Sequence, residues 1–102
     1  MNQPNYVVRL LPVAESDLNE ILQNIAADNL LAAERLAEKI HERLAQLSDL
    51  PHLGRVPRDR DLEDMGYRYL IADNYLVFYK VEESTVFIYR ILHGARDYKE
   101  LL

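Results

Sequence analysis

The sequence predicts one α+β domain over residues 1–102, built in two layers with the element order β-α-α-β-β-β. Three observations predict it: a short opening segment rich in β-branched residues, two stretches whose apolar residues repeat at helical spacing, and three strand-like stretches divided by turn residues. Both predicted helices are amphipathic, so their apolar stripes must be buried against a sheet. The expected architecture is an antiparallel helix hairpin packed on a four-stranded, mainly antiparallel sheet.

The first strand is predicted over Asn5–Leu11, and Pro12 ends it because proline suits the first turn of a helix. Apolar residues then share one helical face, while polar residues, Asp17 among them, are predicted to point outward. A second helix is expected after the Asp28-Asn29 cap and before Pro51. The two predicted apolar stripes comprise Ala14, Leu18, Ile21, Leu22 and Ile25, then Ala33, Leu36, Ala37, Ile40, Leu44 and Leu47.

The rest of the chain predicts a loop followed by a meander. Pro51–Asp64 contains Gly54, Pro57 and charges of both signs, and is interpreted as a solvated loop. Three strands follow with very short links, which favours antiparallel pairing. Their predicted bounds are Tyr67–Ala72, Tyr75–Val81 and Thr85–Leu92, with turns at Asp73-Asn74 and Glu82-Glu83-Ser84. The helix hairpin would cover one sheet face and leave the other partly open, where function is expected to lie.

Composition and charge exclude several classes of protein. The absence of cysteine excludes a disulfide framework and a thiolate metal site. Met1-Asn2-Gln3-Pro4 lacks the pattern of a signal peptide, and no apolar run approaches the roughly 18 residues of a membrane helix. A cytoplasmic protein is therefore expected. Its net charge of −5 lacks the basic surplus typical of a free-standing nucleic-acid binder.

No cofactor and no metal ion are predicted. His41, His52 and His93 are scattered without the spacing of metal ligands. The three glycines are isolated from one another, so the chain contains no glycine-rich phosphate loop.

Aromatic and basic residues concentrate in the last third of the chain. In one interpretation the tyrosines are good strand formers that keep a hydroxyl in water. In the other, a cluster of Arg, Tyr and His side chains grips phosphate and stacks on bases. The concentration comprises Tyr67, Arg68, Tyr69, Tyr75, Tyr79, Tyr89, Arg90, His93, Arg96 and Tyr98.

The segment from His93 to Asp97 is the most distinctive local motif. Gly94 at the end of a strand permits a turn with positive φ, which would bring His93 and Arg96 to the rim of the sheet. Asp97 is expected to pair with Arg96. The motif is either a structural turn or a contact for an anion or nucleic acid, since histidine can change charge near neutral pH.

Short sequence motifs between Tyr6 and Asp97 together resemble the RelE/ParE superfamily of toxins from bacterial type II toxin–antitoxin systems, over nearly the whole chain. Each matching piece is short, but their order and spacing are specific. The resemblance implies the β-α-α-β-β-β fold. The matching pieces are Tyr6-Val7-Val8, Leu11 to Ala14, Asp17-Leu18, Ala33 with Leu36, Leu50 to Arg55, Gly66-Tyr67-Arg68, Tyr75 to Val81 and Ile88 to Asp97.

Two activities occur within that superfamily. RelE-like members are metal-free, ribosome-dependent mRNA endonucleases, whereas ParE-like members share the fold and act as inhibitors of DNA gyrase. Where the nucleases carry basic residues in two adjacent strands, this chain has Leu70 and Leu76, although Arg68 and Arg96 match basic positions. The late catalytic tyrosine has no counterpart, because Leu102 occupies its place.

The resemblance therefore favours a ParE-like toxin that binds DNA gyrase without catalysis and is neutralised by a cognate antitoxin. Two alternatives stay open: an mRNA endonuclease acting on the ribosome through Arg68, His93 and Arg96, and a non-toxic binding module on the same fold. The predicted target-binding residues are Arg68, Tyr75, Tyr79, Arg90, His93, Arg96 and Tyr98.

Overall fold

A computed structural model describes residues 5–102 and confirms the predicted α+β architecture. Among these residues, no helix is both long enough and apolar enough to cross a membrane. The prediction that Met1–Pro4 is not part of a signal peptide lies outside the described residues. In chain order the elements are β1 (Val7–Leu10), α1 (Pro12–Asp28), α2 (Leu30–Asp49), α3 (Arg60–Asp64), β2 (Arg68–Ala72), β3 (Tyr75–Glu82), β4 (Thr85–His93) and a 3₁₀ helix (Tyr98–Leu101).

The four strands form one sheet in the order β1-β4-β3-β2. The last three strands make the predicted antiparallel meander, and β1 joins its far side parallel to β4. Two-residue turns connect the meander, and their first residues, Asp73 and Glu83, have φ values of 52° and 54°. Strands β1 and β2 therefore lie at opposite edges of the sheet.

The helix hairpin buries its apolar stripes on one sheet face, as predicted. Asn29 alone separates the helices, and its side chain caps α2 by accepting a hydrogen bond from Ala32 N–H at 3.0 Å. Helix α2 crosses the sheet and contacts both edge strands. The core on this face comprises Ala14, Leu47, Leu70, Val77, Tyr79, Val86, Ile88 and Ile91.

The second sheet face, expected to be partly open, carries a smaller apolar cluster whose surrounding residues stay partly exposed. Helix α3 and the C-terminal segment (residues 97–102) cover it, so that Phe78 and Leu92 are almost fully buried. The Tyr98 ring stacks on Phe78 with 5.0 Å between ring centroids. Lys99 Nζ lies 3.0 Å from a carboxylate oxygen of Asp59, the residue that caps α3. Apolar burial therefore fixes both faces of the sheet.

Pro51–Asp64 is also more ordered than the predicted solvated loop. Its second part is α3, because the Asp59 carboxylate caps the helix by accepting a hydrogen bond from Leu62 N–H at 3.1 Å. Its first part joins the sheet through paired main-chain hydrogen bonds between Arg55 and Tyr69. These contacts could not be predicted from the local charges and turn residues, because they depend on partners distant in sequence.

Candidate functional site

A cleft of about 210 Å³ opens between α1 and the end of the meander, at the rim of the sheet. We call it the rim cleft. It brings together three of the predicted target-binding residues, namely Tyr75 at the start of β3, His93 at the end of β4, and Arg96. The remaining lining residues are Asp17, Glu20, Ile21, Asn24, Ile25, Ile91 and Leu92.

Cross-strand pairing and a tight turn position the basic residues of the rim cleft. His93 is the register partner of Tyr75, and their rings meet edge to face with 5.4 Å between centroids. The His93 Nδ1 atom accepts a hydrogen bond from Ala95 N–H at 3.0 Å, and its carbonyl accepts one from Arg96 N–H. Both side chains belong to exposed residues, so the turn presents two adjacent basic groups to solvent.

Two details of this turn differ from the sequence-based prediction. Gly94 is not in the left-handed region. Its N–H donates to the Asn74 carbonyl at 2.8 Å, and this bond holds the turn against the β2–β3 hairpin. Within the part of the chain that the structure describes, Asp97 and Arg96 form no ion pair.

Asp17 was predicted to face solvent, but it joins α1 to β4. Its carboxylate accepts hydrogen bonds from Arg90 Nε at 2.7 Å and Nη2 at 2.8 Å, and from Ile91 N–H at 3.0 Å. The hydrogen bonds from Arg90 to Asp17 raise the pKa of the guanidinium. Arg90 Nη1 also donates to the Leu101 carbonyl at 3.1 Å. The predicted target contact Arg90 is therefore already engaged within the protein.

The residues around Gly54 have a structural role as well. Arg68 Nη1 donates to the carbonyls of His52, at 3.3 Å, and Gly54, at 3.0 Å. Tyr79 is fully buried, and its hydroxyl oxygen accepts a hydrogen bond from Gly54 N–H at 2.7 Å. Burial raises the pKa of Tyr79. The assignment of Tyr79 as a target contact is therefore corrected, because a fully buried ring reaches no partner.

Arg68 is also distant from the rim cleft. It pairs across the sheet with Tyr79, four residues along β3 from Tyr75, which is roughly 13 Å at the rise of a β-strand. The three residues of the nuclease alternative, Arg68, His93 and Arg96, are thus divided between two places in the fold.

The remaining aromatic residues gather on the second sheet face. Tyr67 and Tyr89 meet edge to face at 5.3 Å, and Lys80 Nζ lies 4.5 and 4.9 Å from their ring centroids. Burial is the main cause that raises the pKa of Tyr67. Tyr98, a predicted target contact, covers Phe78 here. Lys80 was not among the residues predicted from the sequence. It lies two residues after Phe78 in β3, and residues two apart in a strand share a face of the sheet.

Charge decides what the rim cleft can hold. The carboxylate of Glu20 lines it together with His93 and Arg96, so groups of both signs face the same space. Asp17 also lines the cleft, but its carboxylate is paired with Arg90. A phosphate entering this space would meet the Glu20 carboxylate, whereas a protein surface with mixed charges and apolar residues would be complementary. Within residues 5–102, no three His, Asp or Glu side chains converge in a way that could hold a metal ion.

Comparison with protein families identifies a match over most of the chain. A model described as the ParE toxin of the type II toxin–antitoxin system parDE matches residues 8–98. A search of curated proteins found no match.

Two of the solved structures with the same fold come from toxin–antitoxin systems. One is the chromosomal ParDE system from P. aeruginosa, with a TM-score of 0.71 and 18% identity, covering 86% of this chain and 95% of that chain. The other is the toxin–antitoxin complex RelBE2 from Mycobacterium tuberculosis, with a TM-score of 0.59 and 26% identity, covering 93% and 98%. The fold is therefore shared with both branches of the superfamily.

Proposed function

The chain belongs to the ParE toxin family of type II toxin–antitoxin systems, and on that premise we propose that it inhibits growth by binding DNA gyrase without catalysis. A cognate antitoxin would hold it inactive. The rim cleft, with Tyr75, His93 and Arg96, is the proposed contact surface for gyrase.

The observation that carries the proposal is that two basic residues of the sheet are engaged in internal hydrogen bonds. Arg90 is bound to Asp17, and Arg68 is bound to two loop carbonyls. Leu70 is buried in the core, and Leu76 packs against the cluster on the second face. Metal-free RNA cleavage needs several groups at one place, because base activation, charge neutralisation and leaving-group protonation are separate tasks. Of the three residues of the nuclease alternative, the rim cleft holds only His93 and Arg96, because Arg68 lies elsewhere.

An antitoxin partner is supported by two independent features. Two solved structures with this fold come from toxin–antitoxin systems, and one of them is described as a toxin–antitoxin complex. Among residues 5–102, nine large apolar side chains are at least 40% exposed. A domain this small gains limited stability from its own core, so a partner that covers apolar surface would stabilise it.

The test is a paired assay on the purified protein, first with a gyrase supercoiling reaction and then with a translating extract in which mRNA ends are mapped. We expect loss of supercoiling with intact message. His93→Ala and Arg96→Ala should each raise the concentration needed for half-inhibition by about tenfold or more, the size expected for a buried interface contact. Arg58→Ala, an exposed arginine outside the rim cleft, is the matched control and should behave like wild type.

Three results would contradict the proposal. Cleavage of mRNA without loss of supercoiling would favour the ribosome-dependent nuclease. Inactivity in both reactions, together with normal growth of cells that express the chain alone, would favour a non-toxic binding module. Equal inhibition by the wild-type, His93→Ala and Arg96→Ala proteins would place the gyrase contact elsewhere.

A further inference from the structure

A second surface, separate from the rim cleft, lies at the outer edge of β2. Three large apolar residues are exposed there: Leu50 at 58%, Leu53 at 42% and Ile71 at 40%. They are contiguous, because Leu50 and Leu53 line one shallow cleft while Leu53 and Ile71 line the next. We call these three residues the β2-edge patch. Contiguous exposed apolar surface is typical of protein interaction sites.

The loop that carries Leu50 and Leu53 is held rigidly. Leu53 N–H donates to the Leu50 carbonyl at 3.0 Å, and Gly54 N–H donates to the buried hydroxyl oxygen of Tyr79. Arg68 binds two carbonyls of the same loop. The patch is thus formed before any partner arrives, and little conformational entropy is lost when it binds.

One part of the patch is bordered by charges of a single sign, whereas Asp49 lines the cleft that Leu50 and Leu53 share. Arg43 and Arg55 line the cleft between Leu53 and Ile71, and none of its seven lining residues is acidic. Arg43 also donates to the Ile71 carbonyl at 3.3 Å, which keeps its guanidinium at the edge strand. In a chain of net charge −5, this cleft therefore favours a partner that combines apolar side chains with carboxylates.

We infer that the β2-edge patch anchors an acidic, apolar segment of the cognate antitoxin, an inference that rests on the proposed function. An apolar side chain of the antitoxin would contact Leu53 and Ile71, and flanking carboxylates would pair with Arg43 and Arg55. Preformed apolar surface is characteristic of long-lived complexes. The patch shares no lining residue with the rim cleft, so anchoring and target binding use different parts of the toxin.

The test is the affinity of the purified antitoxin for toxin variants, measured by titration calorimetry or competition. Leu53→Ala should weaken binding about thirtyfold or more, as for a truncated hot-spot residue, and Arg55→Glu should weaken it by a similar factor. Arg55 pairs with Tyr69 through main-chain atoms, so the charge reversal leaves that pairing in place. The matched controls are Val7→Ala and Arg9→Glu, exposed residues on β1 at the opposite edge of the sheet, and should bind as wild type.

Inhibition of gyrase separates this inference from the proposed function. Leu53→Ala and Arg55→Glu should inhibit supercoiling like wild type and should arrest growth even with antitoxin present. If wild type inhibits gyrase and binds the antitoxin, but both variants bind the antitoxin as tightly as the controls, the inference alone is wrong. Loss of gyrase inhibition with unchanged antitoxin binding would also overturn it, because the patch would then contact the target. Failure of wild type to bind either protein would instead refute the proposed function.

Discussion

Replacing Gly54 with alanine should destabilise the protein by about 2–3 kcal/mol. A Cβ at this position would lie 2.6 Å from the Tyr79 hydroxyl oxygen, 2.7 Å from its Cε1 and 2.8 Å from the Tyr69 carbonyl oxygen. Ordinary van der Waals contact begins at 3.4 Å. Neither neighbour can move freely, because the Tyr79 ring is fully buried and the Tyr69 carbonyl is bonded to Arg55.

The magnitude is the sum of the central values of three contributions, which is about 2.3 kcal/mol. Overpacking in a rigid environment costs about 1–3 kcal/mol. Displacement of Gly54 N–H from the Tyr79 hydroxyl costs about 1 kcal/mol more. Alanine restricts the unfolded chain more than glycine does, which offsets about 0.4–1 kcal/mol of this loss.

The assay is equilibrium unfolding in urea. With an m value of about 1.5 kcal/mol/M, the midpoint concentration should fall by about 1.3–2 M at unchanged m. The other two glycines are internal controls. A Cβ on Gly94 would meet its nearest atom at 3.4 Å, so Gly94→Ala should change stability by less than about 0.5 kcal/mol. Gly66 has φ of 89° and open space around it, so Gly66→Ala should show only a backbone cost of about 1–2 kcal/mol.

A double variant tests the cause of the effect. Tyr79→Phe removes one of the atoms that the new methyl group meets and breaks the same hydrogen bond. The double variant should therefore lose less free energy of unfolding than the two single variants lose in total. If Gly54→Ala were as stable as Gly94→Ala, or if the two effects were strictly additive, the steric explanation would be refuted.

Two further predictions concern contacts that join elements. Asp17→Ala should lower the free energy of unfolding by about 2–3 kcal/mol, because it leaves the guanidinium of Arg90 without its carboxylate. This loss is somewhat smaller than for a fully buried ion pair, and Asp17→Asn should lose less stability than Asp17→Ala. Urea midpoints equal to that of wild type would contradict this prediction. The hydrogen bond from Lys99 lowers the pKa of Asp59, and the same bond raises the pKa of Lys99. The pair therefore stabilises the C-terminal segment above the ordinary Asp59 pKa of 3.8 and below the ordinary Lys99 pKa of 10.5. NMR shifts of the Leu101 methyl groups, which pack against the cluster on the second face, should change as pH falls through the lowered Asp59 pKa or rises through the raised Lys99 pKa. A change near pH 7 would contradict this assignment.

Local sequence patterns determined the elements of this fold. The spacing of apolar residues in α1 and α2, the cap at Asn29 and the turn residues between strands all act over a few neighbouring residues. Their consequences can be worked out without knowing the rest of the chain. Even Asp73 and Glu83, which adopt positive φ, lie in segments predicted as turns.

The candidate site was only partly predictable for the same reason. Tyr75, His93 and Arg96 meet because hairpin pairing follows from short turns. The use of Arg90, in contrast, depends on a carboxylate 73 residues away in sequence. No pattern within α1 distinguishes Asp17 from the exposed acidic residues beside it.

The sequence by itself thus determined the class of fold, the toxin family and the concentration of basic and aromatic residues near the C-terminus. The tertiary structure decided which of those residues are free to meet a partner. It engages Arg68 and Arg90 in internal hydrogen bonds, buries Tyr79, and leaves His93 and Arg96 in the rim cleft. The physical reason is that the spacing of apolar residues along the sequence indicates which side chains are buried, whereas hydrogen-bond partners are determined by proximity in three dimensions.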